Sequence, residues 1–548
     1  MTKKNVLLVE PGYPNKYPPL GLMKIAAYHG PFGRDDNLRF VKGDTPDVLS
    51  DVWDRVYVTT LFSFEWKRTS AAIDFALQAV RGQAERVFVG GIAASLMYDE
   101  FRREPRWAGV RFIKGLLDQS PALSLELSGQ DGDFGAHDMA GPPIEELVPD
   151  YSILQHIPYT YPVRDAYFGY ASRGCVRKCS FCGVPKLEGG QREMPPITSL
   201  VEGVNEQFGP KKDLILMDNN VAASARYQEV LAEIRDLGFE RGATFDRSGS
   251  IPAKRRVDFN QGVDARILSK TPMYLKEMST ICIDPLRIAF DHVGMRRVYE
   301  RSVEMAADYG LTSLSNYMLY NFMDTPGDLY QRMSINIELN ERLGVRIWSF
   351  PMRYLPVTMK DRSHVGKNWN RYFLRSFQIM LQATHGVVSG SDEFFKRAFG
   401  RSYDEFERLL SLPHAFIFQR DFYEHGGGRP VLDEYLALQR RLAPSQQTEL
   451  IRLLSDTLLK RPRRDAFRAL VADRSASALI RQLARFHAID TRAAKVTDIA
   501  QVFPDLTPDH LLPEPDTLVE DAGLYESVDP TVDRIPLSDL TSGSAHAP

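Results

Sequence analysis

Three cysteines fall close together in Ala171-Ser172-Arg173-Gly174-Cys175-Val176-Arg177-Lys178-Cys179-Ser180-Phe181-Cys182-Gly183, and the 548 residues hold only one more, Cys282. The spacing of Cys175, Cys179 and Cys182 is C-x3-C-x2-C. So few cysteines exclude a disulfide scaffold, and their clustering points to a metal site. Three thiolates on one loop can each ligate one iron of a cubane cluster. The fourth iron then lacks a cysteine, and an open metal position is where a substrate or cofactor can bind. Arg177 and Lys178 add positive charge that favours thiolate over thiol. Two other readings remain at this level: structural cysteines clustered by accident, or zinc. Zinc wants four ligands, usually as two close pairs, and a second pair is missing. Cys282, in Thr280-Ile281-Cys282-Ile283-Asp284, reads as a small core residue.

The elements that must hold this loop are legible as hydrophobic pattern. Residues 166–172, 213–218, 257–261, 287–291, 314–321 and 345–350 read as six strands, most of them separated by helical patterns. Tyr227, Val230, Leu231, Ile234 and Leu237 share one helical face that stops at Gly238. Leu329, Met333 and Ile337 do the same before Gly344. Six consecutive β/α units suggest a parallel barrel or part of one, with chemistry at the carboxyl ends of its strands. The cysteine motif follows the first of these strands. Upstream, Val6–Val9, Arg55–Thr60 and Arg86–Val89 read as strands, with helices expected over 20–28 and 69–82. That alternation implies a Rossmann-like parallel sheet whose ligands sit beyond the strands' carboxyl ends, where Gly90-Gly91 stands.

From about 365 to 500 the pattern is helical and rich in Arg. Residues 503–548 hold seven Pro, ten Asp/Glu and one basic residue, Arg534, and read as an acidic, mostly disordered tail. The expected fold class is α/β. The expected domains are 1–150, a Rossmann-like sheet; 151–356, a partial (β/α)6 barrel; 357–500, a helical region; and 501–548, the tail. With 68 Lys+Arg against 71 Asp+Glu, the net charge of −3 argues against a chain built to coat nucleic acid. The 15 Lys/Arg of residues 420–495 are interleaved with acids and read as solvated helix faces, and Gly426-Gly427-Gly428 as a turn. No apolar run of about 18 residues occurs, so no membrane span is expected. The start of the chain does not read as a signal peptide, and a cytoplasmic location is expected.

C-x3-C-x2-C with an aromatic before the last cysteine, placed after the first strand of a six-fold β/α run, resembles the radical S-adenosylmethionine (radical SAM) superfamily over about residues 160–356. The resemblance implies that Cys175, Cys179 and Cys182 hold a [4Fe-4S] cluster, with Phe181 and Gly183 beside it. The unique iron would be chelated by S-adenosylmethionine. One-electron reduction, by a donor such as flavodoxin or ferredoxin, would give methionine and a 5′-deoxyadenosyl radical that takes hydrogen from a small-molecule or peptide substrate. The resemblance further implies a SAM-binding role for Asp218, Asn219 and Asn220 after the second strand, and for Asp291 and His292 after the fourth. Asp218 and Asp291 also suit helix caps, and His292 a structural role. Asn260 and Gln261 after the third strand, Asn321 after the fifth and Arg353 after the sixth are candidate substrate contacts or rim residues.

Residues 1–150 resemble the cobalamin-binding domain that precedes the barrel in one radical SAM class. The matching pieces are Pro18-Pro19-Leu20-Gly21-Leu22, Val89-Gly90-Gly91 and Leu147-Val148-Pro149-Asp150-Tyr151. Gly90 and Gly91 would let backbone approach a nucleotide tail. A D-x-H-x-x-G motif is absent. Three functions are therefore open: a radical SAM enzyme acting by hydrogen abstraction, a cobalamin-dependent radical SAM methyltransferase, and a non-catalytic iron–sulfur protein.

Overall fold

The computed structural model describes residues 3–118, 142–246, 251–460 and 463–494. The acidic tail, most of the loop-rich stretch before residue 142 and part of the basic Lys460–Arg464 run lie outside the described residues. The chain forms two compact units: one of Met1–Ala289, Arg297–Asn316 and Leu355–His364, the other of Phe290–Arg296, Tyr317–Tyr354 and Val365–Pro548.

The first unit opens with a parallel sheet of β1 (Asn5–Glu10), β2 (Asn37–Lys42), β3 (Arg55–Thr60), β4 (Val87–Gly91) and β5 (Arg111–Phe112), in the order β2-β1-β3-β4-β5. Val6, Leu7, Leu8 and Val9 of β1 are buried, as expected of a central parallel strand covered on both faces. Helix Trp66–Ala79 lays Ile73, Phe75 and Ala76 inward, where they join the core with Val56, Val58, Val87 and Val89. The pattern reading misses β2. It is an edge strand, and its buried Phe40 and Val41 sit between polar residues, so it shows no apolar run.

Further along the first unit, β6 (Ala166–Gly169), β7 (Asp213–Leu216) and β8 (Val257–Phe259) are parallel and adjacent in sequence order. Between them, Ile197–Phe208 buries Ile197, Val201 and Val204, and Tyr227–Ile234 buries Tyr227, Val230, Leu231 and Ile234. Parallel bridges at Val257↔Ile283 and Val263↔Ile288 carry the run on to β9 (Leu286–Arg287). It pairs with the start of β10 (Ser313–Tyr320) at Leu286↔Leu314. Buried Arg287 ties these strands together, forking onto Asp258 through two 2.7 Å bonds and reaching Ser315. The fold is thus α/β with parallel sheets. β6, β7, β8 and β9 end two to four residues before the expected spans, whereas β10 has its expected length.

In the second unit β10 continues and β11 (Arg346–Arg353) follows helix Pro326–Leu343. That helix starts in a capping box of Thr325 and Asp328 and ends at Gly344, which takes φ +64°. Helices from Arg371 to His487 enclose an aromatic core in which Tyr320, Trp369, Phe377 and Phe406 meet. Trp369, Tyr372, Phe373, Phe377 and Met380 are all buried. The three glycines at 426–428 turn Arg420–His425 into Arg429–Gln439.

Candidate functional site

After β6 the chain enters a small antiparallel ribbon, Ser172–Arg173 against Arg192–Glu193, and the three-cysteine loop is what the ribbon brackets. Gly174 opens the loop at φ +78°, and a Cβ there would overlap the carbonyl oxygen of Gly190, so only glycine fits. The Cys175 N–H donates to Gly189 O at 3.4 Å and the Cys182 N–H to Cys179 O at 3.1 Å. A short helix, Val184–Leu187, follows.

Cys175, Cys179 and Cys182 are all half-buried and form no disulfide. Backbone N–H groups point at two of the sulfurs: Arg177 N to Cys175 Sγ and Val184 N to Cys182 Sγ, each 3.4 Å. Such donors spread the charge of a thiolate and are one of the levers on an iron–sulfur cluster. Among the described residues no three His, Cys, Asp or Glu side chains converge on one metal ion. A cubane is held differently, each sulfur on its own iron, so its ligands need not meet at a point. The donor set of three accessible thiols with N–H groups on two sulfurs fits a cluster.

The loop rests on buried charge. Glu188 accepts from Gly174 N at 2.8 Å and from Asn219 Nδ2 at 3.0 Å. Arg173, only 5% exposed, lies 3.4 Å from Glu188 and 3.5 Å from Glu145, with its guanidinium over the Tyr170 ring. Burial pushes the Tyr170 hydroxyl up to about 12. Buried Lys24 completes the row by donating to the Glu145 carbonyl. On the other side, Arg177 from within the motif meets Asp264 at 2.7 Å. Burial works to raise the Asp264 carboxyl, but hydrogen bonds from Arg266 and Arg177 outweigh it and hold it below its ordinary value.

Of the residues expected to hold S-adenosylmethionine, Asp218, Asn219 and Asn220 stand beside the cysteine loop. Asp218 is 1% exposed and accepts from Ala171 N (2.9 Å), Ser172 N (2.6 Å) and Ser172 Oγ (2.7 Å). Burial raises its carboxyl to about 6 despite these donors. Its position is that of a tether for the ribbon, not of a helix cap. Asn219 also points toward Gly174 O, and Asn220 Oδ1 accepts from Asp264 N at 3.4 Å. Asn260 donates to the Tyr17 hydroxyl at 2.6 Å and accepts from Gln261 at 2.7 Å.

Asp291, His292, Asn321 and Arg353 belong to the second unit. There Arg332, fully buried, donates to the carbonyls of Phe290 (3.0 Å), Asp291 (3.0 Å) and Leu319 (2.8 Å) and pairs with Asp324. His292 lies beside Gly294, at which a Cβ would be 3.0 Å from its Nδ1. Asn321 is fully buried at φ +67°, donating to Tyr354 O (3.1 Å) and accepting from Gly366 N (2.7 Å). Arg353 ends β11 and is half-buried.

Glu188, Tyr17 and Arg332 escape the pattern reading. Leu187-Glu188-Gly189-Gly190 carries a signal, an acid before a glycine pair just past the motif. Arg332 carries only the oddity of an arginine beside Met333 on an apolar helical face. Cys282 is half-buried, not fully in the core, and burial pushes its thiol up to about 12.

A doubly wound sheet takes its ligand where the strand order reverses, here between β1 and β3. Tyr13, after β1, is buried there with its hydroxyl bonded to Thr69, and Phe62, after β3, packs edge-on against it at 6.2 Å. Glu10 is buried among Asn15, Lys42 and Tyr161. Gly91 takes φ +101°, where a Cβ would overlap Thr60, so the chain itself requires that glycine. A Cβ on Gly90 would meet Ile113 at an ordinary 3.8 Å. Tyr13 and Phe62 thus stand at the switch point between β1 and β3.

Fold and site together define an α/β protein with a bracketed three-cysteine loop after a parallel strand. No protein-family model matches the chain. It is similar to the ribosomal protein uS12 methylthiotransferase RimO of Christiangramia forsetii, 31% identical over 110 residues, which is 19% of this chain and 24% of that protein. The chain thus spans about a quarter of that relative's length. This likeness supports the radical SAM superfamily and nothing finer. No described helix is long and apolar enough to cross a membrane.

Proposed function

We propose that the protein is a radical SAM enzyme, with Cys175, Cys179 and Cys182 as ligands of a [4Fe-4S] cluster. The observation that carries the reading is the cysteine loop. Three accessible thiols sit on one turn, two with backbone N–H groups on their sulfurs, above a row of buried charges that fixes the turn. When bound and reduced, such a cluster supplies the electron that breaks the sulfonium C–S bond of S-adenosylmethionine. The chain's own residues do the positioning. Gly174 and Glu188 set the loop's entry, Asp218 ties the ribbon to the end of β7, and Asn219 and Asn220 stand where polar groups can meet the amino and carboxylate groups of S-adenosylmethionine. Asp291 and His292 are assigned to the ribose side. Asn260, Gln261, Asn321 and Arg353 are assigned to the rim that meets a small-molecule or peptide substrate. The six strands from β6 to β11 would form a partial barrel over 151–356. A one-electron donor such as flavodoxin or ferredoxin is the partner this chemistry requires.

The cobalamin-dependent methyltransferase is the alternative, and a corrinoid spectrum after purification with cobalamin supplied would favour it. Methylthio transfer, the activity in the relative's name, needs a source of sulfur. Beyond the motif this chain offers only Cys282, whose thiol is half-buried and held protonated, so that activity is not carried over.

Anaerobic reconstitution with iron and sulfide, followed by dithionite and S-adenosylmethionine, should yield 5′-deoxyadenosine, and Cys179→Ala should lose both cluster and product. An intact cluster that releases no 5′-deoxyadenosine would leave the non-catalytic iron–sulfur reading in its place.

A further inference from the structure

The segment Leu355–His364 belongs to the first unit, although the chain on either side of it belongs to the second. It reaches the cysteine motif at Gly183. A Cβ at Gly183 would lie 3.6 Å from Val357 Cγ1 and 3.0 Å from Leu96 Cδ1, so two apolar side chains pack together against the Cβ side of this backbone. Leu96 ends the short helix Ile92–Leu96 that follows β4. Gly183 lies between Cys182 and Val184, whose N–H donates to the Cys182 sulfur. Whatever fixes Gly183 therefore fixes both that sulfur and its donor.

The same segment is fastened at its far end by two cations on aromatic rings. Lys360 Nζ stands 3.8 Å from the centroid of Trp66, and Arg362 Cζ 4.1 Å from that of Phe64. The rings are themselves fixed: Phe64 stacks on Phe62 at 5.1 Å, and Trp66 packs on Phe101 at 4.6 Å and Trp107 at 5.6 Å. Lys360 is exposed, so its position over Trp66 is a surface contact and not a requirement of the core.

We propose that Leu355–His364 is a clasp. Lys360 and Arg362 fasten it to the loop and helix after β3, and Val357, with Leu96, is a positioning residue that holds Cys182 in its ligand geometry and keeps oxidants from its sulfur. The inference rests on the cluster assignment above. It goes further by naming what protects the cluster, and it gives the amino-terminal sheet a role that needs no cofactor there.

The test is the rate of cluster loss in the reconstituted full chain, followed by the visible absorbance of the cluster after ferricyanide is added. Iron content and thermal midpoint are measured on the same samples. The double variant Lys360→Ala/Arg362→Ala, and separately Val357→Ala, should take up the same iron as wild type and melt at the same temperature. They should lose the cluster at least about fivefold faster, the size expected when two surface cation–π contacts are removed. Lys360→Arg keeps a cation over Trp66 and should restore the wild-type rate in the single-site comparison with Lys360→Ala. Variants that decay at the wild-type rate would overturn the clasp while leaving the cluster assignment intact. A wild-type chain that takes up no cluster would overturn both.

Discussion

Asp218 offers a test in which two opposed effects decide the sign. Its carboxylate accepts three hydrogen bonds, which favour the charged form, yet it is buried, which favours the neutral one. Burial wins, raising the group from 3.8 to about 6. A shift of that size corresponds to roughly 3 kcal/mol between protonation states. Because the folded value is the higher, the fold binds a proton that the unfolded chain releases. This contribution is fully present below about pH 4 and is lost as the pH rises through about 6. Asp218→Asn keeps the shape and removes the titration. Urea unfolding of wild type and variant, compared between about pH 4 and about pH 7.5, should show wild type losing roughly 3 kcal/mol relative to the variant. A constant difference, or wild type gaining as the pH rises, would refute the reasoning. The second outcome would mean that the Ser172 and Ala171 donors outweigh burial.

Gly174→Ala should abolish cluster uptake at low iron and lower the thermal midpoint, since the new Cβ meets the Gly190 carbonyl at a φ of +78°, a conformation that costs roughly 1–2 kcal/mol even without the overlap. Arg332→Met should destabilise the second unit by about 3–5 kcal/mol, because it strands three carbonyls and the Asp324 carboxylate; a loss under about 1 kcal/mol in urea unfolding would contradict the clamp role. His487, buried between Tyr372 (2.6 Å) and Tyr435 (3.3 Å), is lowered by burial from 6.5 to about 3. The unfolded chain therefore takes a proton that the fold refuses. Stability should fall as the pH drops from about 6.5 toward about 3, and His487→Gln should flatten that slope in acid melts.

Much of the α/β alternation is legible in sequence because a buried parallel strand is a continuous apolar run and an amphipathic helix repeats at three and four. Helix Pro326–Leu343 buries the expected face of Leu329, Met333 and Ile337 and stops at Gly344. The edge strand β2 is hidden because its two buried residues, Phe40 and Val41, stand between polar ones and give neither an apolar run nor a clean alternation. The site divides the same way. The cysteine spacing is a local signal, so it is read directly. Glu188, Arg173, Glu145 and Lys24 form one row only after folding, across sequence separations that no local pattern spans. Gly91 shows the opposite error. A glycine at a strand end suggests room for a ligand, but its φ of +101° and the nearness of Thr60 account for it without one.

The buried row beneath the cysteine loop is itself an argument about what the loop is for. Taking two acids, an arginine and a lysine out of water costs several kcal/mol per ion before pairing returns any of it, and apolar residues of the same volume would stabilise the fold at least as well. A loop that only had to turn could rest on such residues. What charge adds is direction. Glu188 can accept from Gly174 N and Asn219 Nδ2 together only if the entry of the loop and the end of β7 are both in register. Arg173 holds Glu188 to that task from the preceding strand. The row therefore couples the cysteine turn to the neighbouring strand end. On the proposed function, a loop that would present three sulfurs to a rigid inorganic group while Asn219 met an organic one would need that coupling. Glu188→Gln keeps the shape and one acceptor but loses the pairing with Arg173. It should leave iron content near wild type and loosen the coupling, raising the concentration of S-adenosylmethionine needed to change the cluster's electron paramagnetic resonance signal. An unchanged requirement would mean that the two strand ends are positioned independently and that the buried charge is structural alone.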